Sequence, residues 1–305
     1  MSGAGHGSAG DGPEAGAAAR APVISFPVMV AAHSTEACGL RPAAWLARAL
    51  LVVSLAGAAA TAALATGAAA APGVAPSDAH WQLIERRIES GYFRQDAAGL
   101  AALEATLSSR ADGDSGDGKW RDYYGALLAY RLSLLARGDE PRAWPFTQQC
   151  VERLNRVLVL DAGFAEALAL QSACLALQSH LDPWRSPLAA PLSRARIDKA
   201  LKLAPDNPRV LLLGAIAARE RPRFFGGDNQ QAFALMQRAV SAFERQRLPA
   251  RGLPAWGAAD AFTSLAQDYL TRGQALAARN VLERALLVAP HFAQARQLMA
   301  EITSG

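Results

Sequence analysis

Cysteine is scarce in this chain, with three residues in 305, so a small fold held together by many disulfides is excluded. No run of like charges occurs, and the net charge is only +4. The electrostatic footprint of a nucleic-acid-binding domain is therefore missing. No stretch alternates apolar and polar residues as a half-buried strand does, so the composition points to an all-α fold. The motifs of common chemistry are also absent. There is no G-x-S-x-G nucleophile elbow and no H-E-x-x-H. His80, His180 and His291 lie far apart and lack ligand spacing. No metal, no cofactor and no catalytic residue is expected. Glu85, Glu89 and Glu104, interspersed with arginines, read as a solvated helix face.

One long apolar run is present, over 49–64, behind Arg41 and Arg48. It fades into small residues and ends in Ala68-Ala69-Ala70-Ala71 before Pro72. A basic flank, an apolar centre and an A-x-A end describe a secretory signal peptide. The strongly apolar part is shorter than the roughly 20 residues that span a bilayer. The expected organisation is a disordered Gly/Ala/Ser-rich 1–28, with Met29 as the functional start, and a signal over 29–70 cut after Ala70. An N-terminal helical hairpin and loop follow over 71–118, then a helical repeat domain over 119–305. The location expected is the periplasm. The alternative is an uncleaved signal anchoring the chain in the inner membrane, which would be its only membrane contact.

The repeat is visible at its corners. "LVLDAGFAEALAL", "LKLAPDNPRVLLL" and "LLVAPHFAQARQL" begin at 158, 201 and 286 and can be written one above another. In the last unit, Phe262, Leu265, Ala266 and Tyr269 share a helical face, Gly273 breaks the helix, and Ala278, Leu282, Ala285 and Leu286 line the next. Small residues at 266 and 278 allow two antiparallel helices to approach closely. Upstream, Trp81, Ile84 and Ile88 form one stripe, and Leu100, Leu103 and Leu107 another. The pattern predicts about ten to twelve helices in about five hairpins.

The final unit resembles a tetratricopeptide (TPR) repeat of about 34 residues, with its large-x2-Leu-small-x2-Tyr, Ala-x3-large and Pro positions. With "WRDYYGALLAY", "LDPWRSPLAAPLSRARIDKALKLAPDNPRVLLL", "PRFFGGDNQQAFALMQRAV" and "GLPAWG", the chain resembles a family of secreted bacterial TPR proteins. It is more weakly similar to the TPR component of TRAP-type solute transporters. The resemblance implies a TPR-like α-solenoid whose concave surface binds a protein or peptide partner without catalysis. The alternatives are an accessory subunit of a periplasmic solute transporter and a cell-envelope hydrolase with a site assembled from distant residues.

Three places invite a closer reading. "RPRFFGGDNQQ" lacks the Lys and Ser/Thr of a phosphate loop. It reads as a structural corner, with Pro222 ending one helix region, Phe225 plugging the hairpin, and Gly226 and Gly227 making the turn. Asp228 then caps the next helix. Trp120 and Tyr124 lie at a different angle from the core stripe Tyr123, Leu127, Tyr130 and Leu134 and are the candidate groove residues. Cys150 and Cys174 lie at equal distance from the turn at Ala162. A disulfide between two antiparallel helices can form there if the residues face each other. The competing reading is two buried thiols that never bond.

Overall fold

A computed structural model describes residues 78–109, 118–184, 187–221, 227–246 and 254–304. The expected signal segment, Pro222, Phe225 and Gly226 lie outside these residues. Among the described residues there are eleven helices and no strand. They are α1 (Asp78–Phe93), α2 (Ala97–Ser109), α3 (Gly118–Leu135), α4 (Glu140–Leu160), α5 (Ala165–Leu181), α6 (Ala189–Leu203), α7 (Pro208–Glu220), α8 (Asn229–Arg245), α9 (Ala258–Thr271), α10 (Ala275–Val288) and α11 (Ala293–Ser304). Consecutive helices pair into five antiparallel hairpins, and α11 follows the last. The architecture is an all-α, TPR-like solenoid. No described helix is long and apolar enough to cross a membrane.

Local chemistry sets the helix starts. Asn207 caps α7, its side-chain oxygen accepting from the backbone N–H groups of Arg209 (3.0 Å) and Val210 (3.3 Å), and Pro208 opens the helix where no donor is needed. Asp228 caps α8 in the same way, accepting from Gln230 (2.7 Å) and Gln231 (3.1 Å). At the α9–α10 corner Gly273 has φ +71°, a left-handed conformation that glycine adopts without steric cost.

The hairpins close on small residues. Ala266 and Ala278 are fully buried between α9 and α10. Ile88 on α1, and Leu100, Leu103 and Leu107 on α2, belong to the same core as Leu127, Leu168 and Leu282. The first hairpin is thus packed into the solenoid and is not a separate body. At the centre α3 is buried on every side from Asp122 to Ser133, as expected of a helix enclosed by others. Gly125 on α3 is required by a close approach, since a Cβ there would lie 2.6 Å from an Arg153 guanidinium nitrogen. Arg153 in turn reaches Glu104 at 2.5 Å.

The glutamates on α1 and α2 correct the sequence reading. Glu85 is 5% exposed, and Glu89 and Glu104 are paired with buried arginines. Their spacing is that of a solvated face, but the faces they occupy are covered by α3, α4 and the loop before α9. Charge patterning along one helix does not register a partner brought from elsewhere in the chain.

Candidate functional site

The odd-numbered helices form the inner layer of the solenoid. A cavity of about 350 Å³ lies on that side, lined by residues of α1, α3, α5, α7, α9 and α11, with Trp256 and Gln95 from connecting loops. It is a half-open hollow, narrowed where the two ends of the solenoid meet. Phe93, the last residue of α1, packs against Phe292, just before α11, with ring centroids 4.5 Å apart. Leu134, Leu177 and Ile216, half-buried on α3, α5 and α7, supply an apolar wall. Gln267, Gln294 and Gln297 stand at its exposed rim.

Arg131 holds the closure. Its Nε and Nη2 donate to Glu89 Oε1 on α1 at 2.9 and 2.7 Å. Its Nη1 and Nη2 donate to Asp260 Oδ1 and Oδ2 on α9 at 2.9 and 2.7 Å. The guanidinium lies 4.1 Å from the centre of the Tyr92 ring, a cation–π arrangement. Burial pushes the Glu89 carboxyl up, to about 7, against the pull of Arg131. Burial opposes the charge on Arg131, but Asp260 and Glu89 outweigh it and hold the guanidinium firmly protonated. Tyr92 is pushed up to about 12 by burial, and Tyr130 is raised by the same cause, so both hydroxyls keep their protons.

The segment before α9 is fastened to Glu85 on α1 and Tyr123 on α3. Glu85 accepts from the Ala255 backbone N–H at 3.0 and 3.1 Å and from the Tyr124 hydroxyl at 3.0 Å. Trp256 Nε1 donates to the Tyr123 hydroxyl at 2.9 Å. Burial raises the Glu85 carboxyl, opposed by the Ala255 and Tyr124 bonds. Gly257 ends the segment at φ +101°, where a side chain would be strained. The "PAWG" of the sequence is therefore a latch laid across α1 and α3.

The candidate groove pair is corrected by this arrangement. Tyr124 is 3% exposed, stacked on Trp81 with centroids 5.6 Å apart and spent on Glu85. Trp120 is half-buried against Tyr124 and Phe164. Neither lines the cavity. The angular offset from the Tyr123 stripe is real, but α1 covers that side of α3. Cys150 on α4 and Cys174 on α5 are joined by a disulfide, with Cα atoms 6.3 Å apart. Asp228 and Gly227 stand at the α7–α8 corner and not at the cavity.

Sequence reasoning missed Arg131, Glu89, Asp260 and Tyr92. Of these, only Arg131 carried a signal, a charge amid the otherwise uncharged run "YGALLAYRLSLL". Among the described residues no three His, Cys, Asp or Glu side chains converge as metal ligands would.

No family model and no curated protein matches the sequence. Among solved structures the chain is similar to the HusA haemophore from Porphyromonas gingivalis, with a TM-score of 0.51 and 20% identity over 65% of this chain and 96% of that one. It also aligns with a thermophilic TPR protein from Thermus thermophilus, with a TM-score of 0.45 and 15% identity over 74% of this chain and 100% of that one. At such identities the likeness to HusA is one of fold, and the fold is that of an all-α, TPR-like solenoid.

Proposed function

We propose that this chain is a non-catalytic binding protein, exported to the periplasm, that holds one small organic ligand in the cavity of its inner layer. The carrying observation is a half-open cavity of about 350 Å³ on the inner layer, lined in comparable measure by apolar or aromatic side chains and by polar ones. Ligand pockets begin at roughly 300 Å³. One turn of helix, a cylinder 10–12 Å across and 5.4 Å long, fills roughly 500 Å³. The cavity thus suits a small molecule or a single chain end better than a helical partner. HusA is described as a haemophore. A ligand carrier on a similar fold accords with this reading, while the identity of its cargo is not transferred.

A second reading, docking to a protein partner, is favoured by a different observation. Trp184 is 93% exposed, and Leu188 and Leu192, close after it in the chain, are 67% and 44% exposed; exposed large apolar side chains are a feature of interaction surfaces. The two roles are compatible in an accessory subunit of a periplasmic solute transporter, which holds a ligand and docks to a membrane component.

The test is a fluorescence titration with N-phenyl-1-naphthylamine, a neutral probe that brightens in apolar sites. One saturable site per chain is expected. The absence of saturable binding would remove the ligand-holding reading.

A further inference from the structure

We infer that the cavity selects an uncharged ligand, one with a compact apolar body and a neutral hydrogen-bonding head such as an amide, hydroxyl or ketone. The inference deepens the ligand-holding reading and rests on it. Its basis is a contrast between the charged and the neutral polar groups that face the cavity. Every formal charge there already has a partner in the protein. Arg131 is shared between Glu89 and Asp260. Arg219 donates to Asp268 at 2.9 Å. At the rim Arg137 stands 3.9 Å from Glu220, with its side chain 63% exposed, where water screens it.

The neutral groups are in the opposite condition. The hydroxyls of Tyr92, Tyr130 and Ser264 and the amide of Gln267 line the cavity and have no hydrogen-bond partner among the described residues. Tyr130 is 5% exposed as a residue and lines the cavity, so a ligand that displaces water there and leaves its hydroxyl unpaired loses free energy. A neutral head can satisfy it. An anionic head would meet the Asp260 carboxylate beside an Arg131 already shared with Glu89, while the rim cation Arg137 is screened by water. A cationic head would have to compete with Arg131 for Asp260. Either charge would be desolvated without compensation.

Three ligands sharing one ring system separate the possibilities: 2-naphthamide, 2-naphthoate and 2-naphthylmethylammonium, each titrated as a competitor of bound N-phenyl-1-naphthylamine. The amide is expected to displace the probe at a concentration roughly tenfold or more below either charged analogue, the cost of one uncompensated polar mismatch. In Tyr130→Phe the amide is expected to weaken severalfold, while naphthalene, which has no head group, binds as it does to the parent protein. Either charged analogue competing as well as the amide overturns the inference. So does probe binding that the amide fails to displace, an outcome that leaves the ligand-holding reading standing. Absence of probe binding removes both.

Discussion

Arg131 and Asp260, 129 residues apart in the chain, are joined by two hydrogen bonds of 2.9 and 2.7 Å between opposed planar groups. The same guanidinium is held from the other side by Glu89. One side chain of the third helix therefore ties the first helix to the ninth. Removing it while leaving both carboxylates buried is costly, because an uncompensated charge remains. Arg131→Met is expected to lower the free energy of unfolding by about 3–5 kcal/mol, read from a urea denaturation curve. The triple variant Arg131→Met, Glu89→Leu, Asp260→Leu is expected to recover most of that loss, since apolar replacement of a whole buried triad is often neutral or better. An unchanged midpoint for Arg131→Met would show that the triad does not hold the closure.

The same triad makes stability depend on pH. Glu89 titrates at about 7 in the folded protein against an ordinary 4.5. Between those values the folded chain binds more protons than the unfolded one, so stability falls as pH rises through the window. The contribution is fully present below 4.5 and lost above about 7. Glu85, also raised, acts in the same direction. Asp161, lowered chiefly by its bond from Lys119, acts in the opposite direction but below its ordinary value of 3.8, outside the window. Unfolding free energy measured from pH 5 to pH 8 is expected to decline, by an amount on the order of 3 kcal/mol from Glu89. Glu89→Gln is expected to flatten the slope. A slope unaffected by Glu89→Gln would place the dependence elsewhere.

How much of this was legible in the sequence depends on the range of the interaction. Residues that act within one hairpin were readable. Ala266 and Ala278 are small because two helices touch there, and Leu100, Leu103 and Leu107 line one face because they share one core. Asp228 announces a cap by its place before "NQQAFALM". The closure was not readable, because Glu89, Arg131 and Asp260 come from three hairpins and meet only when the superhelix has formed. Tyr124 was misplaced for a related reason. A helical wheel of α3 shows two angular groups, but in the structure both are covered, and a helix enclosed on all sides offers no stripe to orient it.

The disulfide carries its own expectation. Cys150 and Cys174 are 24 residues apart and bonded between α4 and α5, and a loop of that size stabilises by about 2–4 kcal/mol. Thiol labelling of the denatured, unreduced protein is expected to find neither of these two cysteines reactive. Cys150→Ala with Cys174→Ala is expected to lower the melting temperature. Both thiols reactive in protein purified without reductant would contradict the bridge.

At the α7–α8 corner, Asp228→Ala removes acceptors for two backbone N–H groups and is expected to cost about 1 kcal/mol. Binding of N-phenyl-1-naphthylamine should be unchanged once the protein is folded. Binding abolished at an unchanged melting temperature would mean that the corner is a site.

The central claim is that the cavity of the inner layer holds a ligand, and filling it is the most direct test. Ala217 lies on α7 against the cavity, whereas Ala300 is exposed on α11 away from it. With folding checked by circular dichroism, Ala217→Trp is expected to abolish saturable N-phenyl-1-naphthylamine binding, while Ala300→Trp keeps the parent affinity. Ala217→Trp binding the probe with undiminished affinity would contradict the account.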